Sequence, residues 1–163
     1  MNKRDPQGTV NLDHRSISHQ DYDFLVEHSN VNKICEIGTG SGYSTQALSS
    51  RGAEVHTVDQ FDHSPTWKVA VARYVMHSKR FWEKHDVRDF DLYFIDGTLG
   101  TGDVEYMFER ASDQFKIIYH DYMYFDKGVH NHKIVLKYMF DKCHTEFTPR
   151  GGSHCAMLEC EKL

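Results

Sequence analysis

The stretch that most constrains this chain is Lys33-Ile34-Cys35-Glu36-Ile37-Gly38-Thr39-Gly40-Ser41-Gly42-Tyr43-Ser44. An apolar run ends in a glycine-rich turn, and residues of helical character follow as far as Arg51, where Gly52 supplies a stop. Glycines allow a tight strand-to-helix turn and let the backbone come close to a ligand that a side chain would hold off. The following helix aims unpaired N–H groups and a partial positive charge back at that turn. The arrangement predicts a site for something flat, polar and partly anionic.

Two ligand classes use such a turn. A dinucleotide fingerprint needs a third small residue, so that the helix can pack closely on the strand. Here that position is Tyr43, which is too large, and pyrophosphate binding is disfavoured. The acidic residue followed by alternating glycines, Glu36, Gly38, Gly40 and Gly42, resembles motif I of the class I S-adenosylmethionine-dependent methyltransferases. The resemblance implies that Glu36, Gly38, Thr39, Gly40, Gly42, Tyr43 and Ser44 contribute to a cofactor site.

With 163 residues the chain is most simply one domain. We expect an N-terminal arm over 1–17 and a single S-adenosylmethionine-binding domain over 18–163. A net charge of -5 gives no electrostatic footprint for nucleic acid. No apolar run reaches membrane-span length, and Met1-Asn2-Lys3-Arg4 leads into polar residues, so a cytoplasmic protein without membrane contact is expected. The four cysteines form no C-x-x-C pair and read as reduced thiols.

Ser18-His19-Gln20-Asp21 looks like a capping box opening a helix through about Ser29. Strands are expected at Lys33–Ile37, Glu54–Val58, Ala72–His77, Asp91–Ile95 and Phe115–Tyr119. Helices are expected from Ser44, Lys79, Asp103 and Val129, with an abbreviated one in the Pro65 region. Two C-terminal strands joined through Pro149-Arg150-Gly151-Gly152-Ser153 read as a hairpin. The fold class is therefore α/β and Rossmann-like. We expect a mostly parallel seven-stranded sheet, helices on both faces and an antiparallel C-terminal hairpin.

Ligands in such sheets bind beyond the carboxyl ends of the strands. Asp59 ends the second strand, where a carboxylate can accept both hydroxyls of a ribose. His77 and Ser78 follow the third, where the resemblance implies adenine contacts. Phe90-Asp91-Leu92-Tyr93-Phe94-Ile95-Asp96-Gly97 and Ile117-Ile118-Tyr119-His120-Asp121-Tyr122 resemble segments of small-molecule O-methyltransferases, of the methyltransferase domain family 24 or macrocin O-methyltransferase-like kind. In metal-dependent members, acidic residues at these two strand ends hold a divalent cation that activates a substrate hydroxyl. Carried over, Asp96, His120 and Asp121 are the catalytic candidates, either as ligands of magnesium or manganese or with His120 or Asp121 as a metal-free base. Asp96 also borders the cofactor site.

Two features depart from the family pattern. Gly97-Thr98-Leu99-Gly100-Thr101-Gly102 replaces its usual segment after strand four and could form a lid, and the stretch before strand one is short. An open face or a second subunit would then complete the pocket. The expected function is methyl transfer to a small-molecule or saccharide-like hydroxylated acceptor. The alternatives are a cofactor-binding module without transfer, or another S-adenosylmethionine-using enzyme on the same fold.

Overall fold

The computed structural model describes residues 17–63, 71–121, 126–139, 143–147 and 153–162. Residues 1–16 of the expected arm, the Pro149–Gly152 turn and the Pro65 region fall outside this set, while Ile17 is described and buried. Helix α1 (His19–His28) opens with the expected capping box. Ser18 Oγ accepts from the Asp21 amide at 3.1 Å, and the Asp21 carboxylate accepts from the Ser18 amide at 3.0 Å. Strand β1 (Lys33–Ile37) turns through the glycines into α2 (Tyr43–Ser49), and β2 (Glu54–Asp59) and β3 (Val71–Val75) extend the sheet outward. Then come α3 (Ser78–Lys84), β4 (Phe90–Ile95), α4 (Asp103–Arg110), β5 (Ala111–Tyr119), α5 (Asp126–Met139), β6 (Cys143–Phe147) and β7 (Ala156–Glu161).

The seven strands form one sheet in the order β3-β2-β1-β4-β5-β7-β6. Neighbours from β3 to β5 are parallel, while β7 runs antiparallel to both β5 and β6. The chain starts at β1, works outward to β3, then returns to β4 on the other side of β1. The order reverses between β1 and β4, which opens a crevice at their carboxyl ends.

Alternation along the strands feeds two cores. Leu92 and Phe94 of β4 pack with Leu25 of α1 and with Ala47 and Leu48 of α2. Tyr93 and Ile95, one residue out of phase, face Trp82 of α3, Met107 of α4 and Val135 of α5. Both faces of β4 are covered, which is why that strand reads as a continuous apolar run.

Two elements begin well before the positions that the sequence suggests. Strand β5 starts at Ala111, directly after α4, and its register against β4 shifts between Phe90 and Leu92. Asp113 and Gln114 are exposed there, so no apolar alternation marks the segment. Helix α5 starts at Asp126 rather than Val129, with Gly128 inside its first turn. The thiol expectation is also corrected, because Cys160 is disulfide-bonded while Cys35 and Cys155 are free and buried. The β6–β7 register sets Cys143 opposite Cys160, a pairing of distant residues that no local cysteine spacing announces.

The Gly97–Gly102 loop is tied down. Leu99 is buried, its amide donates to Asn131 Oδ1 at 3.0 Å, and Asn131 Nδ2 donates to the Gly97 carbonyl at 2.9 Å. Asp103 accepts from the Gly100 amide at 2.6 Å, from Ser78 Oγ at 2.9 Å and from Trp82 Nε1 at 2.9 Å. An Asp103→Ala variant strands a buried indole N–H, a loss worth about 1–3 kcal/mol for one unsatisfied donor. Urea denaturation is expected to show at least that destabilisation, and an unchanged midpoint would mean that the loop is held by its other contacts alone.

Candidate functional site

At the crevice the ends of β1 and β4 nearly touch. The amides of Asp96 and Gly97 both donate to the Ile37 carbonyl, at 2.8 and 2.7 Å, and the Gly38 amide donates to Val58 O at 2.8 Å. A Cβ on Gly38 would lie 2.6 Å from the Gly97 nitrogen, and Gly38 has φ +99°, a conformation that L side chains rarely adopt. Glycine is required here by contact as well as by dihedral angle.

Beyond these strand ends lies a cleft of about 560 Å³. Six expected site residues line it: Gly38, Gly40, Asp59, His77, Ser78 and Asp96. Asp59 Oδ2 accepts from the Gly40 amide at 3.1 Å, and Asp59 Oδ1 accepts from the Phe61 amide at 2.9 Å. The carboxylate is thereby held at the cleft edge beside the glycine turn. Phe61, 60% exposed, also lines the cleft, and Met76 is on its wall.

The other members of the glycine motif stand behind the cleft. Glu36 is fully buried, with Ser44 Oγ donating to it at 2.5 Å and Thr45 Oγ1 donating to its other oxygen. Burial, only partly offset by hydroxyl donors from Ser44, Thr45 and Thr57, pushes its carboxyl up to about 7. Glu36 thus clamps β1 to α2. Thr39 bonds to the Thr57 hydroxyl, Gly42 caps α2 in the left-handed region, and Tyr43 packs against Tyr22.

At the ends of β4 and β5 the structure brings Asp96, His120 and Asp121 together and adds residues the sequence did not single out. His120 Nδ1 is 3.0 Å from Asp96 Oδ1 and 3.4 Å from Asp121 Oδ2, and His120 Nε2 is 3.2 Å from Asp21 Oδ2. Burial works against a charged ring, but hydrogen bonds to Asp121, Asp21 and Asp96 outweigh it and raise its pKa to about 11. Asp121, with φ 59°, turns the chain in the left-handed region that Asp tolerates better than most residues. Burial tends to raise its pKa, yet His120 and Lys127 hold it down at about 2.

Lys127, in the first turn of α5, reaches Asp96 Oδ1 at 2.5 Å, the Asp96 carbonyl at 2.7 Å and Asp121 Oδ2 at 3.0 Å. It lines the cleft, whereas His120 and Asp121 sit behind it. His154 stacks on His120 with ring centroids 6.3 Å apart, and its Nδ1 is 3.9 Å from Asp121 Oδ1.

Carboxylates face both ring nitrogens of His120 and favour its charged form, in which the ring has no lone pair to give. Among the described residues one group of side chains that could hold a metal ion, His120, Asp121 and His154, has its ligand atoms within 4.8 Å of one another. Also among the described residues, no helix is long and apolar enough to cross a membrane.

No protein-family model matches the chain, and no curated protein matches it in sequence. Solved structures do. The O-methyltransferase TomG of Streptomyces achromogenes, crystallised with S-adenosylmethionine, is similar at a TM-score of 0.71 and 16% identity, over 92% of this chain and 83% of that one. An O-methyltransferase from Bacillus cereus in complex with S-adenosylhomocysteine gives 0.69 and 19%, over 93% and 85%. The tRNA (m1A58) methyltransferase TrmI of Aquifex aeolicus gives 0.67 and 13%, over 94% and 72%. At these identities the likeness establishes the fold, a Rossmann-like methyltransferase fold, which RNA and small-molecule methyltransferases share.

A linked pH dependence follows from His120. Its folded pKa of about 11 exceeds the ordinary 6.5, so the stability it contributes is fully present below about 6.5 and is lost as pH rises toward 11. The thermal midpoint of the protein is expected to fall between pH 7 and pH 10, and the slope is expected to flatten in His120→Gln. An equal slope in the two proteins would mean that His120 does not gain its proton on folding.

Proposed function

We propose that this chain is an S-adenosylmethionine-dependent methyltransferase acting on the oxygen of a small hydroxylated acceptor. One observation carries the reading. A single cleft at the reversal of strand order is lined by Gly38, Gly40 and Asp59 at one end and by Asp96 and Lys127 at the other. The first end suits a nucleoside. Asp59 faces a ribose with a charge-assisted acceptor, and Phe61 and Met76 offer apolar surface to a base. The glycine turn brings backbone close to the remainder of the molecule. The second end suits a polar acceptor. The O-methyltransferases of similar fold, one crystallised with S-adenosylmethionine and another with S-adenosylhomocysteine, support the cofactor part of this reading.

S-adenosylmethionine supplies a methyl group on a sulfonium, ready for in-line displacement. The protein's task is then mostly positioning, which can contribute roughly 7–11 kcal/mol when the reacting atoms are held at near-attack distance. Of Asp96, His120 and Asp121, Asp96 is the one in the cleft wall. Its carboxylate is the group to orient the acceptor hydroxyl and draw off its proton, while His120 and Lys127 hold that carboxylate in place.

Calorimetry tests the cofactor half. S-adenosylmethionine is expected to bind and NAD is not. Asp59→Ala removes hydrogen bonds to a charged group, worth about 1.5–3 kcal/mol, or roughly ten- to a hundredfold in affinity. Equal affinity in the variant would take Asp59 out of the site. The transfer half is tested by incubation with a panel of phenols, sugars and enols, with S-adenosylhomocysteine as the readout. On an identified acceptor, Asp96→Asn is expected to slow transfer by roughly a hundredfold, as for lost general-base help, with cofactor affinity nearly unchanged. Full activity in that variant would exclude this role.

A further inference from the structure

The oxygens that close the ends of β4 and β5 are those a hard divalent cation would seek: two carboxylates on adjacent strands and a backbone carbonyl. They already surround a cation. An ammonium has three N–H donors, and Lys127 Nζ meets three acceptors, Asp96 Oδ1 at 2.5 Å, Asp96 O at 2.7 Å and Asp121 Oδ2 at 3.0 Å. His120 Nδ1 lies 3.0 Å from Asp96 Oδ1 and 3.4 Å from Asp121 Oδ2. The space between the Asp96 and Asp121 carboxylates is thus already filled by the Lys127 ammonium.

The lysine does not reach this position from a loose strand. Its helix is anchored by buried Ile134 and Val135 and by Asn131, which is fully buried and bridges Leu99 N and Gly97 O. The Lys127 side chain is 28% exposed, so the ammonium is partly open to the cleft that it lines.

We propose that Lys127 is a built-in cation standing where a divalent metal would otherwise sit between Asp96 and Asp121, and that it presents its positive charge directly to the acceptor oxygen. Its place between the carboxylates rests on this geometry alone, and its role toward the acceptor rests on the methyltransferase reading. One consequence concerns the substrate. A single ammonium stabilises an oxyanion less than a dication does, so acceptors with acidic hydroxyls, phenols or enols, are favoured over the aliphatic hydroxyls of sugars.

The test uses manganese alone as the probe, with the free ion followed by electron paramagnetic resonance and S-adenosylmethionine affinity measured in parallel. The wild-type chain is expected to take up no manganese at this position. Lys127→Ala, or Lys127→Met if the alanine variant does not fold, is expected to gain one site at least tenfold tighter than any uptake by wild type, and Lys127→Ala/Asp121→Asn to lose it again. A wild-type site that disappears in Asp121→Asn would overturn the proposal, as would folded Lys127 variants that gain no site. In transfer assays EDTA is expected to leave the wild-type rate unchanged, and EDTA inhibition reversed by manganese or magnesium would equally overturn it. If S-adenosylmethionine fails to bind while the manganese pattern holds, the methyltransferase reading falls and the built-in cation stands.

Discussion

The carboxylate of Asp21 joins three parts of the chain: the N-terminal helix, the end of β5 and the approach to β7. It is completely buried and accepts from Ser18 N at 3.0 Å and Ser18 Oγ at 2.7 Å within its own helix. From β5 it faces His120 Nε2 at 3.2 Å, and from the approach to β7 it accepts Ser153 Oγ at 2.8 Å and the His154 amide at 2.6 Å. A buried charge is tolerated only when it is paired and hydrogen-bonded, and breaking such a pair by removing one partner costs about 3–5 kcal/mol. The N-terminal helix, the end of β5 and the approach to β7 therefore share one buried carboxylate, in addition to their core packing and the β5–β7 pairing. Because His120 also holds Asp96, the same carboxylate sets the shape of the candidate acceptor end of the cleft.

The two ends of that cleft are built by different physics. Around the glycine turn the determinants are backbone: a Gly38–Gly97 approach that excludes any Cβ, and an Asp59 carboxylate oriented by the amides of Gly40 and Phe61. Glu36 is turned inward onto the Ser44 and Thr45 hydroxyls, so Asp59 is the carboxylate that faces the cleft at this end. Around the ends of β4 and β5 the determinants are charges, with Asp21, Asp96 and Asp121 set against His120 and Lys127. The first arrangement suits a bulky, mostly neutral nucleoside. The second suits a polar group that must be held in one orientation.

What could be read in the sequence follows the same division. A fully covered strand such as β4 declares itself as an apolar run, and a glycine turn between strand and helix is a local pattern. Both were legible, together with Asp59 and Asp96 at their strand ends. The polar start of β5 was not, because Asp113 and Gln114 face solvent. Lys127 was missed because the helix was expected to start only at Val129, whereas α5 starts at Asp126 and carries Gly128 in its first turn. Asp21 was legible only as a capping residue, because its partner His120 lies 99 positions away and depends on tertiary packing. The Cys160 disulfide was obscured in the same way, by the pairing of strands rather than by any spacing. Charge networks assembled across elements leave little periodic trace.

The charge network also constrains where pH can act. His120 keeps its proton up to about 11 and Asp121 stays ionised down to about 2, so these two groups hold constant charge across the whole physiological range. Lys127 is held above its ordinary value as well: burial opposes its charge, but Asp96 and Asp121 outweigh that effect. A metal centre would add a titrating bound water near neutrality, and an ammonium in its place adds none. Glu36, by contrast, is pushed up to about 7 by burial, behind the glycine turn and against the first residues of α2. On the proposed reading, a change near neutral pH acts on Glu36 and so reaches the clamp beneath the cofactor turn, whereas the charges of His120, Asp121 and Lys127 at the ends of β4 and β5 stay fixed.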